Sequence, residues 1–167
     1  MALLEILTWP DERLRRTAEP VTDWSTELTD FIVDMFDTMY AEQGIGLAAT
    51  QVGIAKRIIV VDCGEEEPEP QVFVNPQIVQ EHGETTFAEG CLSIPGLRAE
   101  IDRAQSIVVR YQTQEGTKTE LAADGLLAIC IQHEIDHLEG KLFVDYISKL
   151  KRDRIRGKLE KAHRKSA

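Results

Sequence analysis

Apolar positions recur along the chain with more than one period. Over residues 25–40, Leu28, Phe31, Ile32, Met35, Phe36, Met39 and Tyr40 follow i, i+3, i+4 spacing. This predicts an amphipathic helix with that stripe in the core and Gly44 as its end. Upstream, Trp9-Pro10-Asp11 reads as a turn into a short helical stretch that stops before Pro20. Residues 57–62, RIIVVD, are almost continuously apolar and read as a buried strand. Residues 71–74 and 77–81 read as two strands around Asn75-Pro76, and 106–113 with 118–121 as a hairpin turning at Glu115-Gly116. Residues 44–53 read as a glycine-rich loop and 89–96, EGCLSIPG, as an ordered loop, because glycine and proline interrupt both. Residues 65–70, EEEPEP, form a solvated acidic loop.

The second helical pattern is different. Residues 124–140, DGLLAICIQHEIDHLEG, open with Asp124 as N-cap, close at Gly140, and are apolar all round from Leu126 to Ile131, as a buried helix is. At its polar end lies His133-Glu134-Ile135-Asp136-His137. Residues i and i+4 share one helix face, so both imidazoles can reach one metal ion, with Glu134 beside them as a proton acceptor. A buried helix must account for such polar groups, and a metal does so. The plainer reading is an amphipathic helix with two satisfied histidines.

Length and composition narrow the setting. A chain of 167 residues with 43% hydrophobic content suggests one domain (1–167) with a real core. No apolar run is long enough for a membrane span, and the first residues lack a basic leader, which predicts a cytoplasmic protein. The cysteines are Cys63, Cys91 and Cys130; an odd number argues against a disulfide framework. Cys91, in the 89–96 loop, is a candidate third ligand, and a thiolate with two imidazoles leaves one position open for chemistry. Cys63 and Cys130 read as small buried residues. Gln51 has an amide that can donate to an oxyanion, although a lone glutamine ordinarily lies on the surface. His82 and His163 read as surface histidines. The net charge is −10, yet residues 148–167 hold nine Lys/Arg against two Asp/Glu. The body is acidic and the tail basic; a helix over 148–165, anchored by Leu150, Ile155 and Leu159, is either solvated or a handle for an anionic surface such as RNA.

Three segments, GIGLAATQ at 44–51, EGCLS at 89–93 and QHEIDH at 132–137, occur in this order. They resemble the three-motif signature of bacterial peptide deformylases, and the long C-terminal helix is similar to that of the class typical of Gram-negative bacteria. The resemblance implies an α+β fold of short, mostly antiparallel strands surrounding a central metal-binding helix, with helices at both ends of the chain. It implies removal of the formyl group from the formyl-methionine of new polypeptides, releasing formate. Carried onto this chain, Cys91, His133 and His137 bind the metal, Glu134 is general base and then acid, and Gln51 with the Leu92 N–H stabilises the oxyanion. The methionine pocket is lined by Ile45, Phe87, Leu126, Ile129, Cys130 and the ring of His133. Gly46 and Gly90 hold the substrate main chain as an added strand, Arg98 faces the cleft mouth, and Glu89 is structural, paired with Arg103. The implied metal is Fe²⁺ in cells, with Zn²⁺, Ni²⁺ or Co²⁺ in purified protein. The implied partners are formyl-methionyl nascent peptides and the ribosome near its tunnel exit, met through the basic helix by a monomer with no membrane contact.

Other readings of the same motif remain. A metallopeptidase uses a ligand downstream of H-E-x-x-H, and only Glu139, Asp145, Asp153, Glu160 and His163 are available there. An inactive metal-stabilised relative and a hydrolase with Cys91 as nucleophile are the others.

Overall fold

A computed structural model describes residues 3–166, apart from the side chains of His163, Lys165 and Ser166. Seven strands and three α-helices form an α+β fold. The strands are β1 (Gly46–Ala48), β2 (Ile58–Asp62), β3 (Pro70–His82), β4 (Thr85–Cys91), β5 (Ile94–Arg103), β6 (Ser106–Gln112) and β7 (Lys118–Asp124). The helices are α1 (Thr26–Ala41), α2 (Gly125–Leu138) and α3 (Lys149–Ser166). Five strands make one antiparallel sheet in the order β1-β2-β3-β6-β7, and β4-β5 make a separate hairpin.

The sheet is covered on both faces, which explains why β2 is apolar throughout and buried at every position. Ile58 and Val60 pack with Leu28, Ile32, Met35 and Met39 of α1. Ile59 and Val61 pack with Ala128, Cys130, Ile131 and Ile135 of α2. The hairpin has its own core, where Ile94, Ala99 and Ile101 meet Trp9, Leu14, Phe143 and Ile155. Helix α2 therefore lies between the sheet and the hairpin and presents its polar end where they meet.

The helix ends as its sequence requires. The Gly140 N–H reaches the His137 carbonyl at 3.1 Å and the Lys141 N–H reaches that of Asp136 at 2.9 Å, a Schellman closure. Gly140 has φ +76°, and a Cβ there would lie 2.5 Å from the Arg15 carbonyl oxygen. Asp124 occupies the N-cap without a side-chain capping bond.

Several expectations are corrected. Strand β3 is continuous from Pro70 to His82 rather than two strands, because Asn75, at φ +51°, forms a bulge instead of a break. Its side chain closes that bulge, accepting from Val21 N–H at 2.7 Å and donating to Gln112 Oε1 at 2.8 Å. The 44–53 stretch contains β1 and a 3-10 turn (Ala49–Val52). The 89–96 stretch is the tip of the β4-β5 hairpin, turning at Leu92-Ser93; a two-stranded ribbon tolerates the glycines and proline that a sheet interior would not. Tyr40 closes the helical stripe but is 46% exposed, its hydroxyl donating to Asp62 at 2.6 Å. Leu150 is 70% exposed, so Ile155 and the half-buried Leu159 anchor α3 without it. His82 is exposed as expected, and the surroundings of His163 lie outside the described side chains.

Candidate active site

A cleft of about 900 Å³ opens between β1, the β4-β5 hairpin and α2. Its floor carries three groups from two elements. Cys91, at the end of β4, has its Sγ 3.4 Å from His137 Nε2, and that nitrogen is 3.1 Å from His133 Nε2. Among the described residues this is the one group whose ligand atoms gather within 4.8 Å of each other. Donors on a tetrahedral ion with bonds of ~2.0–2.3 Å stand roughly 3.3–3.6 Å apart, so the spacing is close to what one shared cation requires.

The surroundings support a cation there. His137 Nδ1 and Glu134 Oε1 are buried with no hydrogen-bond partner among the described residues. Burial disfavours a charged His133, but Glu134, Cys91 and Glu89 overcome it and hold the imidazole pKa well above its ordinary value. Burial, joined by the His133 charge, pushes His137 down. Two imidazoles in contact cannot both be cationic, and a metal ion can take the place of the extra proton the pocket attracts. The residues therefore fit a metal ion.

His133 is held from behind. His133 Nδ1 meets Glu89 Oε1 at 2.8 Å, and Glu89 is clasped by Arg103 at 2.7 and 2.8 Å, the pair anticipated from the sequence. Burial alone would raise the Glu89 carboxyl, yet Arg103 and His133 hold it below the usual range. Arg103 also reaches Asp136 at 2.6 Å, which Tyr146 bonds at 2.8 Å. Thr50 Oγ1 donates to the His137 carbonyl at 3.1 Å, tying the 3-10 turn to α2.

Gln51 is not a surface residue: it is 1% exposed. Its Oε1 accepts from the Ala48 N–H at 2.9 Å, which turns Nε2 toward Ser93 Oγ at 3.0 Å and Cys91 Sγ at 3.7 Å. Its amide donor therefore lies beside the Cys91 sulfur. Ser93, fully buried, was not singled out from the sequence; it lies inside EGCLS, and only the packing reveals that it holds Gln51. Glu134 is 4% exposed, and burial pushes its carboxyl up to about 7 against the opposing pull of His133.

Ile45, Gly46, Phe87, Gly90, Leu92, Arg98, Leu126, Ile129 and Cys130 all line the cleft. Phe87 and Ile45 are 38% and 44% exposed, at its lip. Arg98 donates to the Ala88 carbonyl at 3.3 Å at the mouth. The rim adds Glu42, Gln43, Pro95 and Leu97, whose sequence gave no signal. A methyl group at Gly46 would press on the Glu134 carboxylate and lie 2.7 Å from Cys130 Sγ, so glycine is needed for β1 to approach α2 so closely.

The downstream acids a metallopeptidase would use lie elsewhere. Asp145 is bound by Arg15 and Glu139 stands beside Arg57. The group gathered with the two histidines is the upstream Cys91.

Comparison with known proteins agrees with this geometry. The polypeptide deformylase family model matches residues 3–153. The peptide deformylase of Tolumonas auensis is 57% identical over 164 residues, covering 98% of each chain. The crystal structure of a peptide deformylase from Legionella pneumophila superposes with a TM-score of 0.93 at 48% identity, over 99% of this chain and 98% of that one. That of Ehrlichia chaffeensis peptide deformylase in complex with actinonin gives 0.95 at 43% identity, over 98% and 99%. The chain belongs to the polypeptide deformylase family, metal-dependent hydrolases that remove the N-terminal formyl group from newly made polypeptides.

Proposed function

We propose that Cys91, His133 and His137 hold one divalent metal ion, that Glu134 carries the protons of formyl hydrolysis, and that Gln51 and the Leu92 N–H receive the developing oxyanion. The convergence of Sγ and two Nε2 atoms at 3.1 and 3.4 Å beside a buried, unpartnered Glu134 oxygen carries this reading. When bound, the ion supplies Lewis acidity, which lowers the pKa of a coordinated water from 15.7 toward ~7.

The chain's own residues do the rest. Glu134 takes the proton of the attacking water and returns one to the leaving amine. Gln51 Nε2, fixed through Ala48 and Ser93, donates to the former formyl oxygen together with the Leu92 N–H. Their orientation precedes substrate, so little reorganisation is left for the reaction step. Ile45, Phe87, Leu126, Ile129, Cys130 and the His133 ring surround the methionine side chain. Gly46 and Gly90, on two facing strand edges, hold the substrate main chain in extended form, and Arg98 meets it further out.

Fe²⁺ is the working metal in this reading. Zn²⁺, Ni²⁺ and Co²⁺ compete for a two-nitrogen, one-sulfur site, since affinity rises along the series from Fe²⁺ to Ni²⁺. The chain acts as a monomer of one catalytic domain, in the cytoplasm, where three unpaired cysteines stay reduced. No described helix is long and apolar enough to cross a membrane. Helix α3, basic and bound to the body through Ile155, docks on the ribosome near the tunnel exit. Removing the residues after Ser148 should abolish co-sedimentation with ribosomes at low salt; unchanged co-sedimentation refutes that docking.

The deciding assay is formate release from formyl-Met-Ala-Ser by protein purified without oxygen, with bound metal quantified on the same sample. Activity proportional to iron or nickel content is expected. One metal per chain with no formate released refutes the proposed roles, and activity that survives metal removal points to Cys91 as a nucleophile instead.

A further inference from the structure

Two cysteines that the proposed chemistry does not use as reacting groups face one another. Along β2, Ile59 and Val61 point at α2 while Ile58 and Val60 point at α1. The same alternation carries Cys63 to the α2 side, and Cys63 packs against the cluster that contains Cys130. One atom marks how close they are: the Ile45 carbonyl oxygen accepts from the Asp62 N–H at 2.8 Å and from the Cys130 thiol at 3.6 Å. Cys63 is half-buried and reachable from solvent, whereas Cys130 is buried in the cleft wall beside Gly46.

We propose that Cys63 and Cys130 form an oxidation-sensitive thiol pair, which hydroperoxides convert to a reversible disulfide that distorts the substrate cleft. The half-buried Cys63 sulfur, the more accessible of the two, attacks the O–O bond of the hydroperoxide. That bond breaks, Cys63 becomes a sulfenic acid, and the departing oxygen leaves as an alcohol, or as water from hydrogen peroxide, with the Cys63 proton. The Cys130 sulfur then attacks Cys63; the S–S bond forms, the S–O bond breaks, and water leaves with the Cys130 proton. Two thiols and one hydroperoxide give one disulfide, one alcohol and one water. The neighbouring Cys130 side chain also holds the Cys63 thiol below its ordinary pKa, which favours Cys63 as the attacking sulfur.

The consequence follows from packing. Drawn toward Cys63, the Cys130 sulfur leaves the Ile45 carbonyl and the face of Gly46, the strand edge on which substrate lies in the reading above. The contact of β1 with α2 at Gly46 has little slack, and misplacement by ~1 Å at a reacting centre costs up to ~100-fold in rate.

The test uses zinc-loaded enzyme, because zinc has no redox chemistry of its own. Hydrogen peroxide in slight excess is followed by alkylation, proteolysis and mass analysis, then by dithiothreitol. The expected product is lighter by two hydrogens and carries a Cys63–Cys130 cross-link. Formate release should fall about tenfold or more and return on reduction. Cys63→Ser should start at wild-type activity and keep it under peroxide. Separate alkylation of both thiols after peroxide, or a Cys63→Ser enzyme that fails as fast as wild type, overturns the proposal. The cross-link is scored by mass whether or not formate is released, so failure of the deformylation roles registers separately.

Discussion

Glu89 Oε1 and His133 Nδ1 meet at 2.8 Å in a place where their side chains are 3% and 8% exposed. A carboxylate only accepts, so Nδ1 is the donor and the Nε2 lone pair is turned toward Cys91 and His137. Glu89 is held in turn by two bonds from Arg103, whose third reaches Asp136 on the same helix as His133. The nitrogen turned toward Cys91 and His137 is thus set by a buried carboxylate that has its own counter-charge.

Replacing Glu89 by Gln tests that arrangement. Loss of such a partner behind a ligand typically weakens metal affinity ~10–100-fold. Arg103, 7% exposed, also loses a counter-ion and keeps only Asp136, which costs about 2–4 kcal/mol of stability. Chelator competition and thermal melts read the two effects separately. Wild-type metal retention in a correctly folded Glu89→Gln protein would mean that the tautomer is set by something else.

Glu134→Gln should separate structure from turnover. The amide keeps the shape of a side chain that has no ion-pair partner among the described residues, so metal content and melting temperature should stay near wild type. Without a group that can take and return a proton, kcat should drop by roughly 10²–10⁴. A variant retaining more than a few per cent of wild-type kcat sinks the proposed role.

How much of this could be read from the chain depends on the range of the signal. Periodicity and spacing are local, so α1, β2, α2 and the His133–His137 pair were legible. Cys91 and Gln51 stood out by residue type as a candidate ligand and a candidate donor, and the resemblance carried by three short segments added the expected roles and the cleft residues. What failed was decided across the sheet. Asn75-Pro76 breaks a strand locally, but Val21 and Gln112, far away in sequence, satisfy the bulge. Gln51 looks like a surface residue until Ala48 and Ser93 are brought around it. Leu150 fits an apolar stripe, yet nothing packs over that face of α3.

Gln51→Ala should lower kcat by ~10²–10³, the usual cost of one oxyanion donor. Ser93→Ala should have a smaller effect in the same direction, because it frees the Gln51 amide to turn without removing it. Both should leave metal affinity close to wild type. If Ser93→Ala reduces metal content and leaves kcat per metal unchanged, its hydroxyl serves the Cys91 ligand rather than Gln51.

Gly46→Ala is a smaller change with a larger expected penalty. The added methyl meets the Glu134 carboxylate and the Cys130 sulfur, both on the buried helix α2. Either β1 is pushed off α2 or Glu134 is displaced; overpacking of this kind costs ~1–3 kcal/mol. The expected result is a folded, less stable protein with formate release reduced at least ~100-fold. Activity within a few-fold of wild type would show that β1 can move without consequence for the site.

The acid limb of stability should report Asp145. Its carboxylate accepts from Arg15 at 2.7 and 2.9 Å and from the Leu142 N–H at 3.0 Å, fastening the N-terminal 3-10 turn (Glu12–Arg15) to the segment that follows α2. Burial by itself would raise its pKa, but the Arg15 and Leu142 bonds hold it below the ordinary 3.8. A depressed folded-state pKa contributes stability that is fully present above the unfolded value, near 3.8, and is lost as pH falls through the folded value. Asp145→Asn should therefore cost about 1–2 kcal/mol at pH 7, the lower end reflecting partial exposure of the pair. The gap between wild type and variant should narrow as pH falls below ~3.8 and close below the lowered folded-state value, where wild type protonates Asp145 as well. Urea melts of both proteins at neutral and acid pH measure that gap, and a gap of equal size at both would show that the Arg15 bond contributes through shape rather than charge.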